Sequence, residues 1–123
     1  QHLTEKIFKP IVAKQPFILA GSAHNLDYLK SYGFKTFNEC WDESYDMMSD
    51  SKERMTRIVK TIEDITVMPK PERKEMLQKA QAIADYNKKH FFSAEFQQQI
   101  VNELKNGLHN GFQQLTLKNQ ILL

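Results

Sequence analysis

Three acids crowd the run Trp41-Asp42-Glu43-Ser44-Tyr45-Asp46. Paired carboxylates at this spacing can hold Mg²⁺ or act as a general base. The same residues also suit a structural loop, in which Asp and Ser orient the backbone while Trp41 and Tyr45 pack down. A second candidate is the small-residue turn Gly21-Ser22-Ala23, which follows the apolar run Phe17-Ile18-Leu19. Ligands collect at the carboxyl ends of parallel strands, so Ser22 is placed to meet a phosphate. His24, just beyond, is the histidine best placed for proton or phosphate work. The competing reading is a glycine needed for a tight turn and an exposed loop histidine. Neither G-x-G-x-x-G nor a Walker pattern occurs. His2, His24, His90 and His109 lack zinc-like spacing, the acids lack the EF-hand glycine, and Cys40 stands alone. No metal site is therefore expected, and Cys40 reads as inert rather than nucleophilic.

These groups must be positioned by the elements around them. Thr4 is a candidate N-cap for a helix carrying Ile7, Phe8, Ile11 and Val12 on one face. Pro10 makes that helix short or kinked. Pro16 restarts an extended chain, and Phe17-Ile18-Leu19 reads as a strand buried on both faces. Asn25 is expected to cap a helix with Leu26 and Leu29 inward, which Gly33 ends at C′. Phe34 to Phe37 reads as a second strand, so 16–37 forms a right-handed β-α-β unit. Asp50 and Glu53 fit a capping box before a helix with Met55, Ile58, Val59, Ile62 and Ile65 on its buried stripe. Met68-Pro69-Lys70-Pro71 breaks the chain. The next helix buries Met76, Leu77, Ala80, Ile83, Ala84 and Phe91. Ser93 caps a last helix with Phe96, Ile100, Leu104 and Leu108 as its stripe, which Gly107 and Gly111 weaken and end. Residues 112–123 either pack on a partner or fray.

The expected class is α/β: a small parallel sheet with an N-terminal helix and three C-terminal helices, partly Rossmann-like. Two strands are too few to stand alone. A second copy or a longer parent chain is expected to supply the rest. The 123 residues read as one domain, with 1–48 a nucleotide-binding-like half and 49–123 helical. The start at Gln1, without Met, points to a piece of a longer protein. A net charge of +2 gives no argument for nucleic acid. No apolar run approaches the roughly 20 residues that span a bilayer. A single cysteine fits a reducing, cytoplasmic setting.

The segment Thr4-Glu5-Lys6-Ile7-Phe8-Lys9-Pro10-Ile11, followed by Pro16-Phe17-Ile18-Leu19-Ala20-Gly21, resembles the donor side of GT-B glycosyltransferases, fucosyltransferase-type enzymes among them. The run from Gly33 to Phe37 and on to Trp41–Asp46 is similar to uncharacterised glycosyltransferase-like proteins of phage and bacteria. The resemblance covers 3–65. It implies that Glu5 binds ribose and Lys6 the diphosphate, with Lys9, Ser22, His24, Asp42, Glu43 and Asp46 lining the site. It implies a nucleoside-diphosphate sugar as substrate, displacement of the nucleoside diphosphate as the reaction, and no bound metal or cofactor. The acceptor half is absent, so the chain alone should not catalyse transfer. The alternative is a non-catalytic interaction or assembly module, whose sheet edge and C-terminal apolar tail make a homo-oligomer. Nucleic-acid binding through the long helices is a third reading. Lys70, Arg73, Lys74, Lys79, Lys88 and Lys89 alternate with Glu72, Glu75 and Asp85, the pattern of a solvated helix face.

Overall fold

A computed structural model describes the backbone of residues 5–122 and the side chains of 7–111 and 113. Thr4 and the side chains of Glu5 and Lys6 lie outside the described residues. The described chain contains α1 (Glu5–Val12), α2 (Asn25–Ser31), α3 (Ser51–Thr66), α4 (Lys70–Phe91) and α5 (Ala94–Leu122), with a 3-10 turn at Ser44–Met47. No strand forms among the described residues. This overturns the α/β class, the small parallel sheet and the partial Rossmann-like architecture. With the sheet goes the structural ground on which a nucleotide-binding half at 1–48 rested.

The two strand-like segments are irregular and unpaired. Residues 15–20 and 34–36 carry neither helix, turn, bend nor ladder. Their side chains meet instead of their backbones: Phe17 packs edge-on against Phe37, with ring centroids 5.1 Å apart. The second segment gives its backbone groups to a helix carbonyl and to side chains. Phe34 N–H donates to Leu29 O at 3.2 Å, within the helix cap. Lys35 N–H donates to Asn87 Oδ1 at 2.8 Å, and Asn87 Nδ2 donates back to Lys35 O at 2.9 Å. Phe37 N–H donates to Glu43 Oε2 at 2.9 Å. A buried backbone group must find a partner, and these polar side chains supply what a neighbouring strand would.

The chain divides into two compact units, Gln1–Phe91 and Phe92–Leu123. In the first, α1 lies against α4, and the 3-10 turn packs on α3 and α2. Ile7 and Ile11 are buried on α1; Met76, Ala80, Ala84 and Asn87 form the buried stripe of α4. Phe8 meets Phe91 at 5.2 Å between centroids. Phe37 and Tyr45 are wholly buried, and Trp41 stacks on Phe37 at 5.1 Å. Burying each large side chain contributes about 1.5–3 kcal/mol. As Pro10 implied, α1 is short; it ends at Val12 before Lys14 takes a left-handed conformation. Gly33, at φ 90°, closes α2. Gly33 N–H bonds Lys30 O and Phe34 N–H bonds Leu29 O, a Schellman pattern.

Three helical stripes depart from expectation, and on α4 the expected Leu77 is half exposed while Asn87 is buried. On α3, Ile58 and Thr61 are buried, while Met55, Val59 and Ile62 are about half exposed. In the second unit, α5 runs through Gly107 and Gly111 rather than ending there. An α-helix closes its own backbone bonds, so each glycine weakens it by about 1 kcal/mol without breaking it. No described helix is long and apolar enough to cross a membrane.

Candidate functional site

The acidic loop folds inward at one residue. Helix α2 starts at Asn25, but Asn25 is not its cap. The residue before it, His24, is left-handed at φ 67° and makes no side-chain cap. Asp46 takes that place from further along the chain: Oδ1 accepts from Leu26 N–H, 20 residues away, at 3.0 Å and Oδ2 from Asp27 N–H at 3.4 Å. The Asp46 carbonyl also accepts from His24 N–H at 2.7 Å. Asp46 is 5% exposed. A carboxylate suits this position, because the first helical N–H groups have no partner inside the helix and carry partial positive charge.

The other two acids serve the backbone too. Glu43 accepts the Phe37 N–H, and burial pushes its carboxyl pKa up, with the Phe37 bond opposing the rise. Asp42 accepts from Ser44 N–H at 2.9 Å and from Ser44 Oγ at 3.0 Å. Those bonds hold its pKa below the usual value, with help from Arg57 at 3.8 Å. The three carboxylates expected to work as a set are thus each turned to a different stretch of backbone.

The structure gathers a different group around Asp46. His24, Asp27 and Asp46 each place one ligand atom within 4.8 Å of the others, a donor set of the kind divalent ions accept. His24 Nδ1 lies 3.4 Å from Asp27 Oδ2 at the surface. Both Asp46 oxygens already accept a helix N–H. The spacing of His24 and Asp27, three apart at a helix start, was the sequence signal for their pairing; Asp46 joins only through the fold.

Lys9 and Ser22 are exposed. Glu5 and Lys6 lie in the first turn of α1 by backbone, and their ribose and phosphate roles rest on side chains outside the described residues. Cys40 is unbridged, and burial, then the Glu39 carboxylate, push its pKa up, which keeps the thiol protonated.

Three further residues position this region: Tyr45, expected from the sequence to pack down, and Asn87 and His90, to which the sequence assigned no such role. Tyr45 Oη receives the Leu19 N–H at 3.4 Å, and burial drives its hydroxyl well above the usual tyrosine range. Asn87, 1% exposed, clamps Lys35 from α4. His90 Nε2–H donates to Tyr32 O at 2.6 Å. Its ring also closes the space over Gly33, where an added Cβ would sit 2.8 Å from it. The signal for Asn87 was present: it continues the 76, 80, 84 stripe at helical spacing, so an amide there must be buried and bonded.

Outside this junction, the structure leaves apolar side chains uncovered. On α3, Met55 and Val59 line a shallow groove with Lys52, Thr56, Lys60 and Glu63. On α5, every side chain from 101 to 110 is exposed. Val101, Leu104 and Leu108, three and four apart, share one face, at 42%, 64% and 66% exposure. No family model, curated protein or solved structure matches the chain.

Proposed function

We propose that this chain is a non-catalytic assembly module that associates with copies of itself through α5. One observation carries the reading: Val101, Leu104 and Leu108 line one face of a helix whose side chains from 101 to 110 are all exposed. Isolated helices are marginal in water, and most helical stability in proteins comes from packing an amphipathic face. A 29-residue helix with an open apolar stripe therefore calls for a covering surface. Its sequence favours a like partner. Between Ala94 and Leu122 the formal charges are Glu95, Glu103, Lys105 and Lys118, which balance. The polar positions are mostly Gln and Asn. No excess of either sign selects an oppositely charged partner or a phosphate backbone.

The acids that a catalytic reading needed are engaged in capping and loop bonds, which also favours a scaffold. Light scattering across a concentration series tests the proposal. The wild-type chain should self-associate, and Leu104→Glu with Leu108→Glu should abolish most of that association while leaving the helical circular dichroism signal in place. A wild-type chain that stays monomeric at millimolar concentration sinks the proposal.

A further inference from the structure

We propose that helix α3 docks antiparallel on α3 of a second copy, with Met55, Val59 and Ile62 in the seam and Lys52 of each copy opposite Glu63 of the other. This surface belongs to the first compact unit and goes beyond the α5 reading. It starts from an open face. Met55, Val59 and Ile62, at 46%, 49% and 47% exposure, recur at four- and three-residue steps, so they share one side of the helix. Ile58 and Thr61, on the adjoining side, are the residues that α3 turns into its own unit. Among the described residues, the groove along the open face is lined by α3 alone: Lys52, Met55, Thr56, Val59, Lys60 and Glu63.

The charges along this groove select what covers it. Lys60 is already paired, its Nζ donating to Asp64 Oδ1 at 2.7 Å. Among the described residues, the side chains of Lys52 and Glu63 have no partner. They stand on the same flank of the apolar stripe, about three turns or 16 Å apart. The flank thus offers a cation near one end and an anion near the other. A partner of a single sign answers one end and is repelled by the other. A parallel copy sets Lys52 against Lys52 and Glu63 against Glu63. An antiparallel copy answers both ends at once.

The apolar residues obey the same two-fold. An axis near Val59 sets Met55 of each copy opposite Ile62 of the other and brings the two Val59 side chains together, a self-complementary contact. In such a pair each flank meets its own counterpart. Lys52 then lies about two residues, or 3 Å, along the axis from Glu63 of the second copy, a gap that these long side chains span. Three apolar side chains per copy bury little surface, so the contact is weak and forms at high concentration.

Sedimentation equilibrium in the Leu104→Glu/Leu108→Glu background, which removes the α5 surface, tests the proposal. At millimolar concentration this background should still form a dimer, and adding Val59→Glu should abolish it. Adding Lys52→Glu alone, or Glu63→Lys alone, sets like charges opposite each other at both ends and should weaken the dimer about tenfold. Both substitutions suit the helix macrodipole, so α3 should keep its circular dichroism signal. An equimolar mixture of these two variants should recover the dimer, since one copy then carries two acids and the other two lysines along the flank. Should the wild type associate while the background stays monomeric at millimolar concentration, the α3 proposal falls and the α5 reading stands. Should the background associate as strongly as the wild type and lose that association on Val59→Glu, α3 stands and the α5 reading falls. A mixture that associates no better than either variant alone overturns the antiparallel copy as occupant.

Discussion

The stretch from Pro16 to Ser49 and helix α5 solve the same problem in opposite ways. In α5 the backbone satisfies itself through the helix, and the side chains from 101 to 110 are left at the surface. Along 16–49 little of the backbone is in regular structure, so side chains complete it: Asp46 for α2, Glu43 for Phe37, Asn87 for Lys35 and Tyr45 for Leu19. The difference teaches where binding capacity resides. A polar group used to close the chain's own backbone is committed, and an apolar face that the helix does not need remains open to a partner. The acid-rich loop looks chemical in sequence, and its carboxylates bond the chain's own backbone. The plain helix is the part with a surface to offer.

Substitutions can break this contrast. Asp46→Ala strips two N–H groups at the start of α2 of their acceptor and should destabilise the first unit by about 2–3 kcal/mol, read by urea unfolding. A variant with unchanged stability would show that the cap is dispensable. Next, Asn87→Ala leaves Lys35 N–H and C=O unpaired and should cost about 2 kcal/mol in the same experiment. Gly33→Ala meets both a positive φ and the His90 ring, and should cost about 1–2 kcal/mol.

Glu43→Gln sharpens the comparison with a pH dependence. The folded state raises the carboxyl pKa, so it holds the proton more tightly than the unfolded chain does. The stability this contributes is complete below the ordinary value of 4.5 and is lost as pH rises toward the folded value. A glutamine keeps an acceptor for Phe37 N–H without the charge. The variant should therefore be more stable than wild type at neutral pH and lose that advantage below about pH 4.5, read as thermal midpoints across pH. The smallest effect belongs to the other region. Leu104→Glu should change the unfolding free energy of dilute monomer by no more than about 0.5 kcal/mol, since the side chain is exposed, while weakening association.

Helix existence in the second half was legible because it rests on local signals. Asp50 accepts the Glu53 N–H at 2.9 Å as its type and spacing implied, and Gly33 closes α2 where a C′ glycine should. Strand identity was not legible, because a strand exists only with a partner. Phe17-Ile18-Leu19 and Phe34–Phe37 have the composition of strands, but no ladder joins them among the described residues. The acidic loop was legible in kind, since side-chain-to-backbone bonding was one of its two readings. Which backbone each acid serves was not: Asp46 reaches across 20 residues and Asn87 across 52.

The sequence by itself determined where α3 and α5 start, through Asp50 and Ser93, where Gly33 ends α2, and that Met76, Ala80 and Ala84 share the buried face of α4. These depend on caps, φ preferences and periodicity within a few residues. Only the tertiary structure decided that Asp46 caps α2, that Asn87 closes the backbone of Lys35, and that Met55, Val59 and Leu104 stay uncovered. Each of those outcomes depends on what else arrives at the same place, and a buried polar group or an apolar face takes its role from its neighbours.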